Sequence, residues 1–113
     1  MRGRLLLVAC IALLAVSAAQ ASGATAPTRS CGFVAFTPNS GDGVFDIRAR
    51  YVTCTTARAK LRAARGAPKA LRGWRCRLIR RDEVTGAGRY ACTSRAKVHG
   101  VMRTRLIAFT TGN

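Results

Sequence analysis

The side chains able to do chemistry in this 113-residue chain are few, and their spacing is poor for catalysis. The single histidine, His99, precedes Gly100 in a stretch that reads as a link between strands. An imidazole can activate a serine, but no G-x-S-x-G elbow accompanies it. The four carboxylates are Asp42, Asp46, Asp82 and Glu83. A glycosidase needs two carboxyls flanking a cleft, whereas Asp82 and Glu83 are neighbours in a turn and read as salt-bridge partners of Arg80 or Arg81. Gly86-Ala87-Gly88 precedes a strand, while a phosphate-cradling loop opens a helix, so it reads as a hairpin turn. The expectation is a non-enzyme, with no catalytic residue, no cofactor and no metal site.

Cysteine is the remaining reactive type. Cys10 lies in an N-terminal targeting segment: Arg2 and Arg4 form a basic n-region, residues 5–19 run apolar around Ser17, and Ala19-Gln20-Ala21 supplies a small-x-small cleavage site. Leu7-Val8-Ala9-Cys10 loosely resembles a lipoprotein cleavage box, but most of the apolar run follows the cysteine instead of preceding it. Residues 1–21 are therefore read as a cleaved signal peptide, with no transmembrane segment after cleavage, and the protein is expected to be secreted or associated with the cell envelope. Four cysteines then remain: Cys31, Cys54, Cys76 and Cys92. An even number in a short exported chain reads as a disulfide framework. No CxxC pair is present and His99 has no cysteine nearby, which argues against zinc. Pairing leaves no thiolate for catalysis.

The elements that position these groups follow from periodicity. Residues 22–30 are small, polar and Pro-containing, and are expected to be a disordered tail before one domain spanning 31–113. Residues 31–36 suit a short strand, and the turn-rich 37–43 a loop. From 44 to 52 Phe45, Ile47, Ala49 and Tyr51 alternate with Asp46, Arg48 and Arg50, the period of a half-buried strand. Thr53 suits the cap of a helix over 54–65, whose apolar stripe is Cys54, Ala57, Leu61 and Ala64, and which Gly66 and Pro68 end. Two further strands, 73–81 and 89–94, flank the turn 82–88 as a hairpin, and a last strand covers 101–109. In that strand Met102, Leu106 and Ala108 are expected to face inward, opposite Arg103 and Arg105, with Ile107 and Phe109 breaking the alternation. The expected fold is α+β: one short helix on a small, mostly antiparallel sheet in the order β-β-α-β-β-β, stabilised by disulfides. Four cysteines allow three pairings and spacing does not choose among them. The pairing favoured joins Cys54 at the helix start to the hairpin through Cys76 or Cys92, leaving Cys31 to the remaining partner.

Charge is the strongest signal. The chain carries 20 Lys+Arg against 4 Asp+Glu, a formal net charge of +16. On the expected sheet the helix-free face collects Arg48, Arg50, Arg75, Arg77, Arg103 and Arg105. Arginines massed on one sheet repel one another unless salt screens them or a polyanion lies on them, and guanidinium grips phosphate and carboxylate with two prongs. An anion-binding face is the expectation, its partners an anionic cell-wall polymer or lipid head groups. The competing explanation is compositional, because Ala, Arg and Gly all belong to GC-rich codons. Nucleic acid lacks support beyond charge: Trp74 and Tyr90, the residues able to stack bases, share the cysteine-bearing stripe and read as core. Membrane lysis is poorly served by a helix whose apolar face is mostly alanine. The alternative function is an exported inhibitor or interaction module that docks a protein partner through a sheet edge.

The stretches Val52-Thr53-Cys54-Thr55-Thr56-Ala57-Arg58, Gly73-Trp74-Arg75-Cys76-Arg77 and Tyr90-Ala91-Cys92-Thr93 carry a resemblance. Across roughly residues 44–109 the layout resembles small exported, disulfide-containing hypothetical proteins of high-GC actinobacteria, which pair a Cys-x-x-Ala-Arg helix start with a later aromatic-x-Cys-Arg strand. The resemblance implies export and disulfides, and no site. Cys31 departs from the commoner pattern.

Overall fold

The computed structural model describes residues 26–112. The signal peptide expected at 1–21 lies outside them, as do residues 22–25 of the expected tail. Five strands and one helix follow in chain order: β1 (Arg29–Ala35), β2 (Gly43–Arg50), α1 (Cys54–Ala64), β3 (Arg75–Arg81), β4 (Gly88–Val98) and β5 (Val101–Thr111). A 3-10 turn, Pro68–Ala70, lies between α1 and β3. The fold is α+β, with a five-stranded antiparallel sheet in the order β1-β2-β5-β4-β3.

Helix α1 forms where its local signals are strongest. The Thr53 side chain accepts the Thr56 N–H at 3.1 Å, and Arg65 takes the left-handed conformation that closes the other end. Ala57, Leu61 and Ala64 are buried, so the stripe docks as expected, chiefly on β1 and β2. Alanine on the stripe lets the helix lie close to the sheet. The core beneath it is Val34, Val44, Ile47, Ala49, Ile107 and Phe109, extended by Trp74, Cys92 and Leu71.

Several expectations are corrected. β1 begins at Arg29, so the tail gives up Arg29 and Ser30 to pairing with Ala49 and Arg48. In β2 the alternation is interrupted between Phe45 and Arg48 by a bulge, at which Asp46 adopts φ 49°. Ile47 and Ala49 remain inward, but Val44 takes the core position and Phe45 turns out to stack on Phe33 at 6.4 Å. Tyr51 leaves the strand at φ 57°.

The largest correction concerns β5. Pairing with β4 runs without a shift from Gly88↔Thr111 to Val98↔Val101, so alternation is unbroken and one parity must be inward throughout. That parity belongs to Ile107 and Phe109, both fully buried. Met102, Leu106 and Ala108 therefore face the other side, and Arg103 and Arg105 share the helix-bearing face. The helix decides the parity: α1 covers the face on which Ile107 and Phe109 join Val34, Val44, Ile47 and Leu61 in one buried cluster.

The disulfides are Cys31–Cys54 and Cys76–Cys92. The favoured link from Cys54 to the hairpin is not formed. Cys54 opens a helix lying on β1, which carries Cys31, while Cys76 and Cys92 are direct register partners across the β3–β4 ladder. One bridge thus pins helix to edge strand and the other staples the opposite edge of the sheet. Among the described residues no helix is long and apolar enough to cross a membrane.

Candidate functional site: an arginine-railed trough

The sheet face opposite α1 is built in rows set by strand register. One row runs Arg77–Ala91–Ala108–Arg48 across β3, β4, β5 and β2. The next runs Arg75–Thr93–Leu106–Arg50. Small and medium side chains on the two central strands make a floor, and arginines on the flanking strands make two rails. Three strand spacings separate the rails, about 14 Å, and successive arginines along a rail are about 7 Å apart. Ala91 and Ala108 are buried yet lie outside the helix-side core, as expected of a floor beneath long side chains.

The ends of the trough differ. At one, Arg80 and Arg89 are register partners of like charge, which alone would weaken the pairing. Arg89 resolves this by crossing the face. It donates to the Asp46 carbonyl oxygen at 2.6 Å and to Thr110 Oγ1 at 3.1 Å, and its guanidinium lies 3.3 Å from the Asp46 carboxylate. With its side chain only 14% exposed, Arg89 is a structural strut more than a binding group. The β2 bulge aims Asp46 at this contact, and the same carboxylate holds Arg48 at 3.4 Å. At the other end an open depression of about 470 Å³ is lined by Arg75, Thr93, Arg95 and Thr104 among others. Arg95 and Lys97 continue the basic character along β4, opposite Thr104 and Met102.

Of the six arginines expected on this face, the structure brings together Arg48, Arg50, Arg75 and Arg77, and sends two elsewhere. Arg105 lies over the Trp74 ring at 4.7 Å and donates to Ser94 Oγ at 3.0 Å. Arg103 lies over Tyr51 at 5.3 Å. Both lie on the helix side, Arg105 as a half-buried packing cation and Arg103 as an exposed one. Arg80, Arg89, Arg95 and Lys97 belong to the trough face and were not anticipated. The missed signal was the alternation of Arg89, Ala91, Thr93, Arg95 and Lys97, which runs on past the expected end of that strand at Ser94. Trp74 and Tyr90 fall in or against the core, Tyr90 stacking on Phe109 at 5.7 Å.

Few of the rail cations are neutralised. The arginine–carboxylate pairs among the described residues are Arg48–Asp46, Arg89–Asp46 and Arg65–Asp42. The bridges expected from Asp82 and Glu83 to Arg80 or Arg81 are not formed among the described residues. The Asp82 carboxylate accepts the N–H groups of Val84 at 2.8 Å and Thr85 at 3.3 Å, closing the β3–β4 turn. Those backbone donors hold its carboxyl below the usual 3.8, with the Arg80 charge a smaller contribution. Arg81 instead donates to the Gly86 carbonyl at 2.9 Å. His99 and Gly100 form the β4–β5 turn, both at positive φ. Among the described residues no group of three His, Cys, Asp or Glu side chains is placed to hold a metal ion.

Comparison with protein-family models, with curated proteins and with solved structures found no match.

Proposed function

We propose that the protein is an exported, non-catalytic binding protein whose trough holds an anionic chain, such as a phosphate-bearing envelope polymer. The observation that carries this reading is the pair of arginine rails, Arg75 and Arg77 on β3 facing Arg48 and Arg50 on β2, across a floor of Ala91, Thr93, Leu106 and Ala108. An extended polyanion seated there meets cations on both flanks along its length. Guanidinium is suited to the task because it grips an anion with two parallel donors and stays charged at every relevant pH. Two disulfides fit residence in an oxidising compartment.

A second reading, docking of a protein partner by strand addition, is favoured by the open edge of β3, where Leu78 and Ile79 are exposed. That edge also bears Arg75, Arg77, Arg80 and Arg81 and a bulge between Leu78 and Arg80. Charges and bulges are devices that discourage edge pairing, so the trough is the stronger reading.

Charge reversal separates the two. Binding of the oxidised protein to polyphosphate should be lost in Arg75→Glu/Arg77→Glu and in Arg48→Glu/Arg50→Glu. It should persist in Arg62→Glu/Lys69→Glu, which reverses the same number of charges at exposed positions outside the two rails. Equal loss in all three variants would mean that net charge, not the trough, drives binding.

A further inference from the structure

The displaced Arg103 leads to a second site on the opposite face of the molecule. Beyond Thr93 and Leu106, strands β4 and β5 continue as a two-stranded arm, because β3 ends its pairing at Arg75↔Thr93 and β2 at Arg50↔Leu106. On the helix-side face of this arm Arg103, Val101 and Val98 share one parity. Between the arm, the β2–α1 link and β1 lies an open cleft of about 410 Å³. Arg29, Tyr51, Val98, His99, Val101 and Arg103 line it, and no carboxylate does.

We propose that this cleft binds a phosphate monoester carrying an apolar group. Charge sets the class of head group: two guanidiniums match a phosphate monoester, which carries about −1.5 to −2 at neutral pH. Neither Arg29 nor Arg103 is paired with a carboxylate among the described residues. Arg103 is also pre-organised. Its guanidinium lies over the Tyr51 ring at 5.3 Å, a cation–π contact that holds the side chain beside the cleft. Tyr51 can occupy that position because it leaves the strand at φ 57°, a conformation uncommon for a bulky residue and costly to hold. The His99 imidazole adds an N–H donor at the rim. Val98 and Val101 give the carbon skeleton of the ester an apolar wall. A free sugar phosphate would leave that wall in contact with hydroxyls, whereas an alkyl phosphate or a lipid phosphate head group covers it.

The site is separate from the trough, so the two readings can fail independently. His99 is the only histidine in the chain, so its ring protons report on this cleft without ambiguity. Titration of the oxidised protein with hexyl phosphate should shift the His99 and Tyr51 ring signals saturably. Arg103→Gln and Arg29→Gln should each weaken that binding by about tenfold or more, the scale of a lost charge-assisted bond. Arg75→Gln/Arg77→Gln should leave it unchanged. Arg29→Gln guards against misfolding of the Arg103 variant, because Arg29 is exposed on an edge strand. Vesicles of phosphatidylcholine with and without phosphatidic acid identify the source. Capture by phosphatidic acid that Arg103→Gln abolishes points to a lipid head group, and a response to hexyl phosphate alone points to a soluble ester. The proposal is overturned by a shift that never saturates with no capture by phosphatidic acid, or by equal binding in the cleft variants and the wild type. It is also overturned if the trough variant alone loses binding.

Discussion

The same residue type does two different jobs in this molecule, and strand parity decides which. Arg105 lies over Trp74 at 4.7 Å and bonds Ser94, with its Nε buried. Its long stem and planar head cover the indole as a hydrophobic side chain would. Arg77 stands on the other face beside Ala91 and is exposed. Arg105→Ala should therefore destabilise the fold by about 1–2 kcal/mol, the scale of a partly desolvated cation–π contact, and leave polyphosphate binding intact. Arg77→Ala should do the reverse, with a stability change within about 0.5 kcal/mol. Urea denaturation and a binding titration on both variants check the pair; a loss of binding in Arg105→Ala would put that arginine back on the trough. Parity here was hard to read from the sequence. Residues 101–109 carry apolar side chains at both parities, Met102, Leu106 and Ala108 against Val101, Ile107 and Phe109. Deciding between them requires knowing that the strand is central, with α1 covering the half that holds Ile107 and Phe109.

Among the elements, α1 was the most legible, because its signals are local: Thr53 as cap, the Ala57–Leu61–Ala64 stripe, and Gly66 and Pro68 beyond its end. β2 was legible as a strand but not in its detail, since Arg89, the partner that meets its bulge at Asp46, comes from β4. Gly43 shows what the β1–β2 pairing demands. It opposes Ala35, and a Cβ there would collide with the carbonyl oxygen of Val34, a backbone atom that cannot swing aside. Gly43→Ala should cost about 1–3 kcal/mol, as overpacking does. The loss should appear in hydrogen exchange as faster exchange along β1 and β2 while β3 and β4 stay protected. Uniform loss of protection, or none, would contradict this account of the strand pair.

At the scale of the whole molecule, a small sheet with one helix buries a thin core, and the two bridges sit at its two edges. Cys31–Cys54 spans 23 residues and Cys76–Cys92 spans 16. Stabilisation through loop closure varies only with the logarithm of loop length, so removing either bridge should cost a similar amount, about 3 kcal/mol. The paired variants Cys31→Ala/Cys54→Ala and Cys76→Ala/Cys92→Ala, compared by thermal melting, test this; one bridge proving dispensable would show that its edge is held by packing alone. The pairing itself depends on tertiary neighbours, which is why three connectivities stood open in the sequence. The placement of Cys76 and Cys92 on either side of the turn between β3 and β4 was a usable signal for the second.

The same topology makes the trough, because the order β1-β2-β5-β4-β3 sets the arginines of β2 and β3 on opposite sides of β5 and β4. The direct test is binding of the oxidised protein to a set of polyanions matched in charge density, followed against salt concentration. Two rails on a shaped floor predict clear preference for a slender, extended phosphate chain over bulkier polyanions, with affinity falling steeply as salt rises. Equal, weak binding to every polyanion would contradict the account and reduce the arginines to surface charge.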